Sequence, residues 1–564
     1  MRKVLSLLLA FGLAFGCFSV GFADATLEMS DIENMTAPGV LPIVVEKEKI
    51  TVGIRQDPQI ISYDDNALTL RVEKETNIDL EFIYFPIKEE EAKQKLALMV
   101  SANQQLPDVL IGFCSPSLFE AERHSYGAQG VFIDEKPLLE KYGYFWNQGV
   151  ERWCTPSEAE NTTKMITSPD GGMYAFPFFY SDPTDPQAYA LWINQTWLKN
   201  LNLEMPTTPD ELFDVLIAFR DQDPNGNGKK DEIPLVGADD WCARIEMVLL
   251  NAFEYYTGAY YDHRLNVDAD DKLYASYLTD GFHDGLRFMN KLYKEGLISS
   301  LSFTQKYSGG LLPLCESADG DAVVGVFCGH PELCFSKSTP RRMEYTYIPP
   351  ITGPEGVSYV PYEVPLPYGN SFITKDCKRP EVALRLFDYF SKSEVSLSVR
   401  YGEQNVDWSL VENAEGMTPR FASMGYEIYY NTPNLVVGTE NSQMWANWGP
   451  SLIPPALFGA LPVGKYDDPY IQYREDNWAE SVGTRVGKNP EKVVSRLIFT
   501  EDELLEVNEL QATLKSFVDE SIARFTTGDL DPEKDWDAYV ANAKAIGVDR
   551  FVEVSQGCYD RMNK

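Results

Sequence analysis

Ile50-Thr-Val-Gly-Ile-Arg55, Asp79-Leu-Glu-Phe-Ile-Tyr84 and Leu106-Pro-Asp-Val-Leu-Ile111 are three short runs rich in apolar and β-branched residues. Helical patterns separate them, at about 66–76 and 88–103. In the second, Ala92, Leu96, Ala97, Leu98 and Val100 cluster toward one face. Strand–helix–strand–helix–strand implies right-handed crossovers and a parallel sheet. Ligands of such sheets bind at the carboxyl ends of the strands. Those ends are Gln56-Asp57-Pro58 and Phe113-Cys114-Ser115.

The pattern continues down the chain. Ser168-Pro-Asp-Gly-Gly-Met-Tyr-Ala-Phe-Pro177 reads as a turn leading into a strand, and 188–193 as a strand running into a helix. Thr208 followed by Glu211 is a capping box that starts another helix. A helix is expected at 280–295, closed by Gly296. Pro380 opens an amphipathic helix ending near Phe390. The last 65 residues read as largely helical, with breaks at Gly528-Asp529 and Gly547.

A chain of 564 residues exceeds what one core normally supports, so at least two lobes are expected. Its 49 Lys+Arg against 85 Asp+Glu give a formal charge of −36, which argues against a nucleic-acid partner. Arg2 and Lys3, the apolar stretch Val4 to Val20 and Ala23-Asp24-Ala25 compose a secretory signal peptide over 1–25. Cys17, preceded by Gly16, is a candidate lipid-attachment site. The remaining eight cysteines include no CxxC, so a zinc ribbon is not indicated, and buried thiols are expected. Four histidines leave few options for His-rich metal catalysis.

Asp221-Gln-Asp223-Pro-Asn225-Gly-Asn227-Gly-Lys229-Lys-Asp231-Glu232 matches a calcium loop when counted from Asp221. Counted from Asp223, the ligands are Asp223, Asn225, Asn227, the Lys229 carbonyl, Asp231 and Glu232. Either register gathers short oxygen-bearing side chains on a hard cation, with glycines supplying the tight turns. A structural Ca2+ is expected at 221–232. HExxH, GxSxG and SxxK are missing, and Gly459-Ala-Leu-Pro-Val-Gly464-Lys465 lacks the Ser/Thr of a phosphate loop. Aromatics stand beside small or polar neighbours in Asp239-Asp240-Trp241, Tyr368-Gly369-Asn370, Asp407-Trp408 and Trp445-Ala-Asn447-Trp448-Gly449. Flat rings beside Asp and Asn are what sugar faces and hydroxyls require, although core packing accounts for many such rings.

Together these features resemble the family 1 extracellular solute-binding proteins, in particular the large members serving oligosaccharide ABC importers of Gram-positive bacteria. The resemblance rests on Leu106-Pro-Asp-Val, Asp170-Gly-Gly-Met-Tyr174, Leu191-Trp-Ile-Asn194, Met205-Pro-Thr-Thr-Pro-Asp-Glu211, the calcium loop, Lys291-Leu-Tyr-Lys-Glu-Gly296 and Asp535-Trp-Asp-Ala-Tyr-Val540. It implies an α/β, two-lobed periplasmic-binding-protein-like (type II) fold with an interlobe cleft and discontinuous lobes. After a spacer at 26–45, lobe 1 would comprise 46–187 and 368–440, and lobe 2 188–367 and 441–564. The implied function is capture of an oligosaccharide by a non-enzymatic, monomeric receptor on the extracellular face of the membrane, and delivery to an ABC permease. A secreted glycoside hydrolase, or a binder of a peptide or lipid precursor, are the alternatives. The resemblance places the metal in the second register: Asp223, Asn225, Asn227, Lys229, Asp231 and Glu232. By position it places Asp57, Tyr180, Asp240, Trp241, His330, Tyr368, Asn370, Trp445 and Trp448 at the cleft. The aromatic pattern adds Trp408. One departure is Tyr401-Gly-Glu-Gln-Asn-Val-Asp-Trp408, where the family usually has a second glycine at 404 or 405.

Overall fold

The computed structural model describes residues 27–563, apart from 58, 114–119, 181–188, 259–262, 317–319, 330–334, 336–339, 362–365, 411–417, 420–429, 432–439, 447–448, 460–461, 464–468, 470–472, 474–476, 478–479, 482 and 486. The three opening runs form β1 (Glu48–Arg55), β2 (Ile78–Phe85) and β3 (Val109–Ile111), all parallel. The helices between them span Ala67–Thr76 and Glu89–Ser101. Asn66 caps the first helix, its side chain accepting from Leu68 N. In the second, Ala92 and Leu96 are buried, whereas Leu98 is 68% exposed. Positions 92 and 96 share a face at i,i+4 spacing, and 98 is turned away from it.

Further along come β4 (Phe176–Tyr180), β5 (Leu191–Asn194), β6 (Ile233–Val236), a small hairpin of β7 (Leu265–Val267) and β8 (Leu273–Ala275), β9 (Val324–Cys328), β10 (Tyr345–Tyr347) and β11 (Tyr368–Ile373). Two short ladders pair β12 (Ser409–Leu410) with β14 (Tyr430–Asn431) and β13 (Thr418–Pro419) with β16 (Pro462–Val463); β15 is Leu452–Ile453. A six-stranded sheet runs β15-β4-β11-β3-β1-β2, and a four-stranded sheet runs β10-β5-β9-β6. Each sheet has its own core. One holds Val52, Ile54, Val109, Phe179, Phe387 and Trp445. The other holds Trp192, Trp197, Phe219, Val326, Phe327 and, from the C-terminal helices, Val518 and Phe551.

Local signals set the helix ends. Thr208 and Glu211 form the expected capping box of helix Pro209–Asp221, and Thr500 and Glu503 form another at helix Glu501–Thr527. Gly528 (φ 88°) and Gly547 (φ 118°) end the long C-terminal helix and the one after it in left-handed conformations.

Two boundaries differ from the sequence reading. Residues 27–45 are not a spacer. Met35, Ile43 and Val44 are fully buried in the first core. Buried Arg385 donates to the Thr36 and Val40 carbonyls (2.8 and 3.0 Å), so the irregular backbone finds its hydrogen bonds there. The described residues of 441–459 also stay with the first lobe. Met444, Trp445 and Leu452 lie in its core, and β15 pairs with β4. By Tyr473 the chain has reached the second lobe, where the Tyr473 hydroxyl donates to the Tyr345 carbonyl.

Asp388 ties the first lobe together, its Oδ1 accepting from the Trp146 N–H at the start of helix Tyr144–Trp153 (2.8 Å). Burial pushes its pKa to about 7, although that backbone donor and the nearby Arg385 oppose the shift. A carboxyl whose folded pKa lies above its unfolded value contributes stability that is fully present below the unfolded pKa and is lost as pH rises through the folded one. The melting temperature of the first lobe should therefore fall between pH 4 and pH 8. Asp388→Asn should flatten that slope, which calorimetry at several pH values measures.

Candidate functional site

Strand register decides where the lobes meet. In the six-stranded sheet β1, β2 and β3 are parallel, and β11 is antiparallel to β3, with Ser371 opposite Ile111. Tyr368, at the start of β11, therefore lies at the carboxyl end of β3. It also pairs with Phe178, two residues before Tyr180 ends β4. One edge thus carries Asp57, Gly112-Phe113, Tyr180, Tyr368 and Ile453. In the four-stranded sheet β6 and β9 are parallel, with β5 antiparallel to β9 and β10 antiparallel to β5. Its corresponding edge carries Gly237 to Asp240, Gly329, Tyr189-Ala190 and Ile348. The chain leaves the first edge at Tyr180 and enters the second ahead of β5. It leaves the second at Ile348 and returns to the first at Tyr368. Both passages connect these two edges, as the two-lobed fold requires of edges that border an interlobe cleft.

On the first edge, Phe178 lies between two tyrosines, with ring centroids 4.9 Å from Tyr368 and 6.4 Å from Tyr180. Both tyrosines are half-buried. The Arg400 guanidinium stands 4.4 Å over the Tyr180 ring. Arg496 stands 5.8 Å over Tyr368 and donates to the Pro367 carbonyl (3.1 Å). Arg496 comes from the strap before the C-terminal helices, so it ties the second lobe to the returning strand. Nothing local in the sequence announces this contact, because the partners are far apart in the chain.

Asn370 is fully buried, and its Oδ1 accepts from the Gly112 N–H (2.8 Å), holding β11 against the end of β3. Its Nδ2 is buried without a hydrogen-bond partner among the described residues, a donor left over at the edge. Asp57 is also buried; its Oδ1 accepts from Gln59 N–H (2.8 Å) and shapes the turn out of β1.

On the second edge, the Asp240 carboxylate accepts from the Tyr307 N–H (2.7 Å), and Gln305 Nε2 donates to the Gly237 carbonyl (2.7 Å). The loop is fixed from behind by Arg244, which bonds Glu246 (2.6 Å) and Asp519 (2.7 Å). Arg264 bonds the same Asp519 oxygen (2.7 Å). Burial pushes Asp519 up, but the two arginines outweigh it and hold its carboxyl below the ordinary value. Trp241 opens a short 3-10 turn, Trp241–Ala243. The Trp241 side chain, His330 and Trp448 lie outside the described residues.

Two expected stacking rings are turned inward. Trp445 has no exposed surface, and its Nε1 donates to Thr69 (2.9 Å). Trp408 is 1% exposed and donates to the Gly402 carbonyl (3.0 Å). Neither presents a ring face to a ligand in this structure. Trp408 closes the loop that departs from the family pattern. Asn405 there adopts φ 66°, the left-handed region that asparagine tolerates better than most residues, so it stands in for glycine.

The loop expected to hold calcium follows helix Pro209–Asp221. Asp221 is exposed and paired with Arg220 (2.8 Å). Asp223, Asn225, Asn227, Asp231 and Glu232 are instead half-buried, with the Lys229 side chain exposed. Asp223 Oδ1 and Glu232 Oε1 are buried without hydrogen-bond partners among the described residues. Burial, with added repulsion from Asp231 and Asp223, raises the Glu232 pKa. Asn225 and Asn227 turn their Nδ2 groups toward Asp231 (3.3 and 3.2 Å). Converging, underpartnered carboxylates fit a hard cation. Among the described residues no group of three or more His, Cys, Asp or Glu is placed to hold a metal ion.

One described cavity lies elsewhere. About 540 Å³ in volume, it is lined by Phe145, Gln148, Arg152, Lys392 and neighbours, with no strand-end residue. No helix among the described residues is long and apolar enough to cross a membrane.

No known family profile matches the chain. Among curated proteins it is 23% identical over 518 residues to FusA, a fructooligosaccharide ABC transporter substrate-binding protein of Streptococcus pneumoniae, covering 88% of this chain and 87% of that protein. It is 37% identical over 161 residues to the lipoprotein LipO of Bacillus subtilis, covering 28% of this chain and 30% of LipO. Among solved structures, a solute-binding protein from Bifidobacterium longum infantis, associated with an ABC transporter and binding HMO, superposes with a TM-score of 0.73 at 20% identity. The match covers 91% of this chain and 99% of that one. An EF-hand mutant of FusA, in complex with fructo-nystose, gives 0.70 at 21%, over 91% and 99%. The fold expected from the resemblance, and the resemblance itself, are borne out.

The inward tryptophan allows a direct check. Trp445→Ala should cost about 3–5 kcal/mol of stability, as deletion of a large core ring does, measured by denaturant unfolding. Trp445→Phe should recover most of that loss.

Proposed function

We propose that the protein is the extracellular substrate-binding receptor of an ABC importer and takes up an oligosaccharide between its lobes. The observation that carries this reading is the edge-to-edge geometry. Tyr180, Tyr368 and the spare Asn370 donor stand on one edge, opposite the Asp239-Asp240-Trp241 loop on the other. Rings stack on sugar faces while amides and carboxylates hold hydroxyls, and neither edge alone encloses a ligand. Only the closed arrangement makes both sets of contacts, so ligand shifts the population toward it. The closed form is the one a permease would receive. The relatives' names describe substrate-binding proteins, which supports a non-enzymatic role. Export by the leader, with tethering at Cys17, would keep a monomeric receptor at the cell surface.

In the loop at 221–232 we assign Ca2+ to Asp223, Asn225, Asn227, the Lys229 carbonyl, Asp231 and Glu232. The engagement of Asp221 with Arg220 favours this register. Bound calcium would neutralise converging carboxylates and rigidify the connection between helix Pro209–Asp221 and β6. Its ligands lie at the start of β6, the opposite end of that strand from the Asp239-Asp240-Trp241 loop, which fits a structural role.

Isothermal titration against a glycan panel should give binding to at least one oligosaccharide, with compaction in small-angle scattering. No binding and no compaction with any glycan would overturn the receptor reading. Calcium added after chelation should raise the melting temperature, and Glu232→Gln should abolish most of that rise. An unchanged melting temperature after confirmed metal removal would overturn the structural role of calcium.

A further inference from the structure

An exposed aromatic stands at the far corner of the first edge, away from Tyr180 and Tyr368. Tyr84 is the penultimate residue of β2, the outermost strand of the six-stranded sheet, and is 37% exposed. Its hydroxyl donates to Asp64 Oδ2 (3.1 Å), in the loop that leaves β1. The ring is held from behind. Phe82 stacks parallel to it at 6.4 Å and 17°, and Tyr63 packs at 6.0 Å. Both rest on buried Trp445, at 5.7 and 6.1 Å. The corner thus offers a fixed ring and a carboxylate with a second oxygen available.

Its place in the sheet sets a length. From β4 through β11, β3 and β1 to β2 is four neighbour steps. At the usual strand spacing this separates the ends of β4 and β2 by roughly 19 Å, the span of about four sugar rings.

We propose that Tyr84 and Asp64 form a remote subsite for the terminal ring of an oligosaccharide whose other end lies at Tyr180 and Tyr368, which makes the receptor selective for chains of about four rings or longer. This rests on the receptor reading above. Tyr84 supplies the stacking face, and Asp64 both orients the phenol and accepts sugar hydroxyls. A ring already fixed by Phe82 and Tyr63 loses little freedom when it stacks.

The test is titration calorimetry with size-graded oligosaccharides of two to six rings, prepared from every polysaccharide of the glycan panel, fructan and pectin among them, on wild type, Tyr84→Ala and Tyr84→Phe. Wild-type affinity should rise up to about four rings. Tyr84→Ala should weaken the longest chains roughly three- to tenfold, the scale of one aromatic contact, and leave the shortest chains unchanged. Tyr84→Phe, which keeps the ring, should restore most of the loss. Melting curves of each variant show that it is folded. Equal affinity of wild type for short and long chains, or wild-type affinity of Tyr84→Ala for long ones, would overturn the subsite while leaving the receptor reading intact. Failure of wild type to bind any chain of any size would overturn the receptor reading itself, and the subsite with it.

Discussion

Parallel pairing is the constraint on which the rest of this structure depends. Parallel strands need crossover segments, and those segments cover the faces of the sheet with helices. Loops and unladdered backbone groups therefore collect at the strand ends. Asn370 shows the consequence. Its Oδ1 completes the bonding at the end of β3, and its Nδ2 is buried without a hydrogen-bond partner among the described residues. The chain passages leave and enter at the same ends, so each lobe presents its leftover polar groups to the other. The place where the two edges are joined follows from topology before any particular side chain is chosen.

Most of this topology was legible in the sequence. The apolar runs at β1, β2 and β3 alternate with helical spacing, and the Thr208–Glu211 box, Gly528 and Gly547 mark ends that the structure reproduces. What was not legible involves partners far away in the chain. Residues 27–45 contain the Pro and Gly of a linker, but their carbonyls are satisfied by Arg385, a residue that reads simply as one charged position on a helix. The stay of 441–459 in the first lobe depends on β15 pairing with β4, and a two-residue strand has no periodicity to detect.

The candidate site was legible by place more than by side-chain direction. Tyr180, Tyr368 and Asn370 share an edge, as their positions at strand ends imply. Trp408 and Trp445 also have polar neighbours in sequence, but a polar neighbour does not reveal where the ring points. Trp408 faces inward because its Nε1 finds the Gly402 carbonyl, and Asn405 supplies the left-handed residue that lets the loop close. The turn at 221–232 was legible for the opposite reason: it is local, so the alternation of short polar residues and glycines fixes most of its backbone geometry.

The aromatic arrangement divides labour by ring size. The large indole of Trp445 is buried and bonded to Thr69, where it contributes area and holds position. Phe82 and Tyr63 pack on it, and Tyr84 packs on them, so rigidity passes outward from the core to an exposed ring. At the other end of the same edge, Phe178 backs Tyr180 and Tyr368 in the same way, with Arg400 and Arg496 over their faces. A ring supported on one side by packed aromatics needs little ordering when a flat apolar surface meets it, and a phenol bonded to a carboxylate keeps its orientation in water. The acidic surface takes part here too. Asp64 has no basic partner among the described ion pairs; it bonds the Tyr84 hydroxyl, and so a carboxylate that charge counting alone would assign to the solvated surface has a positioning role.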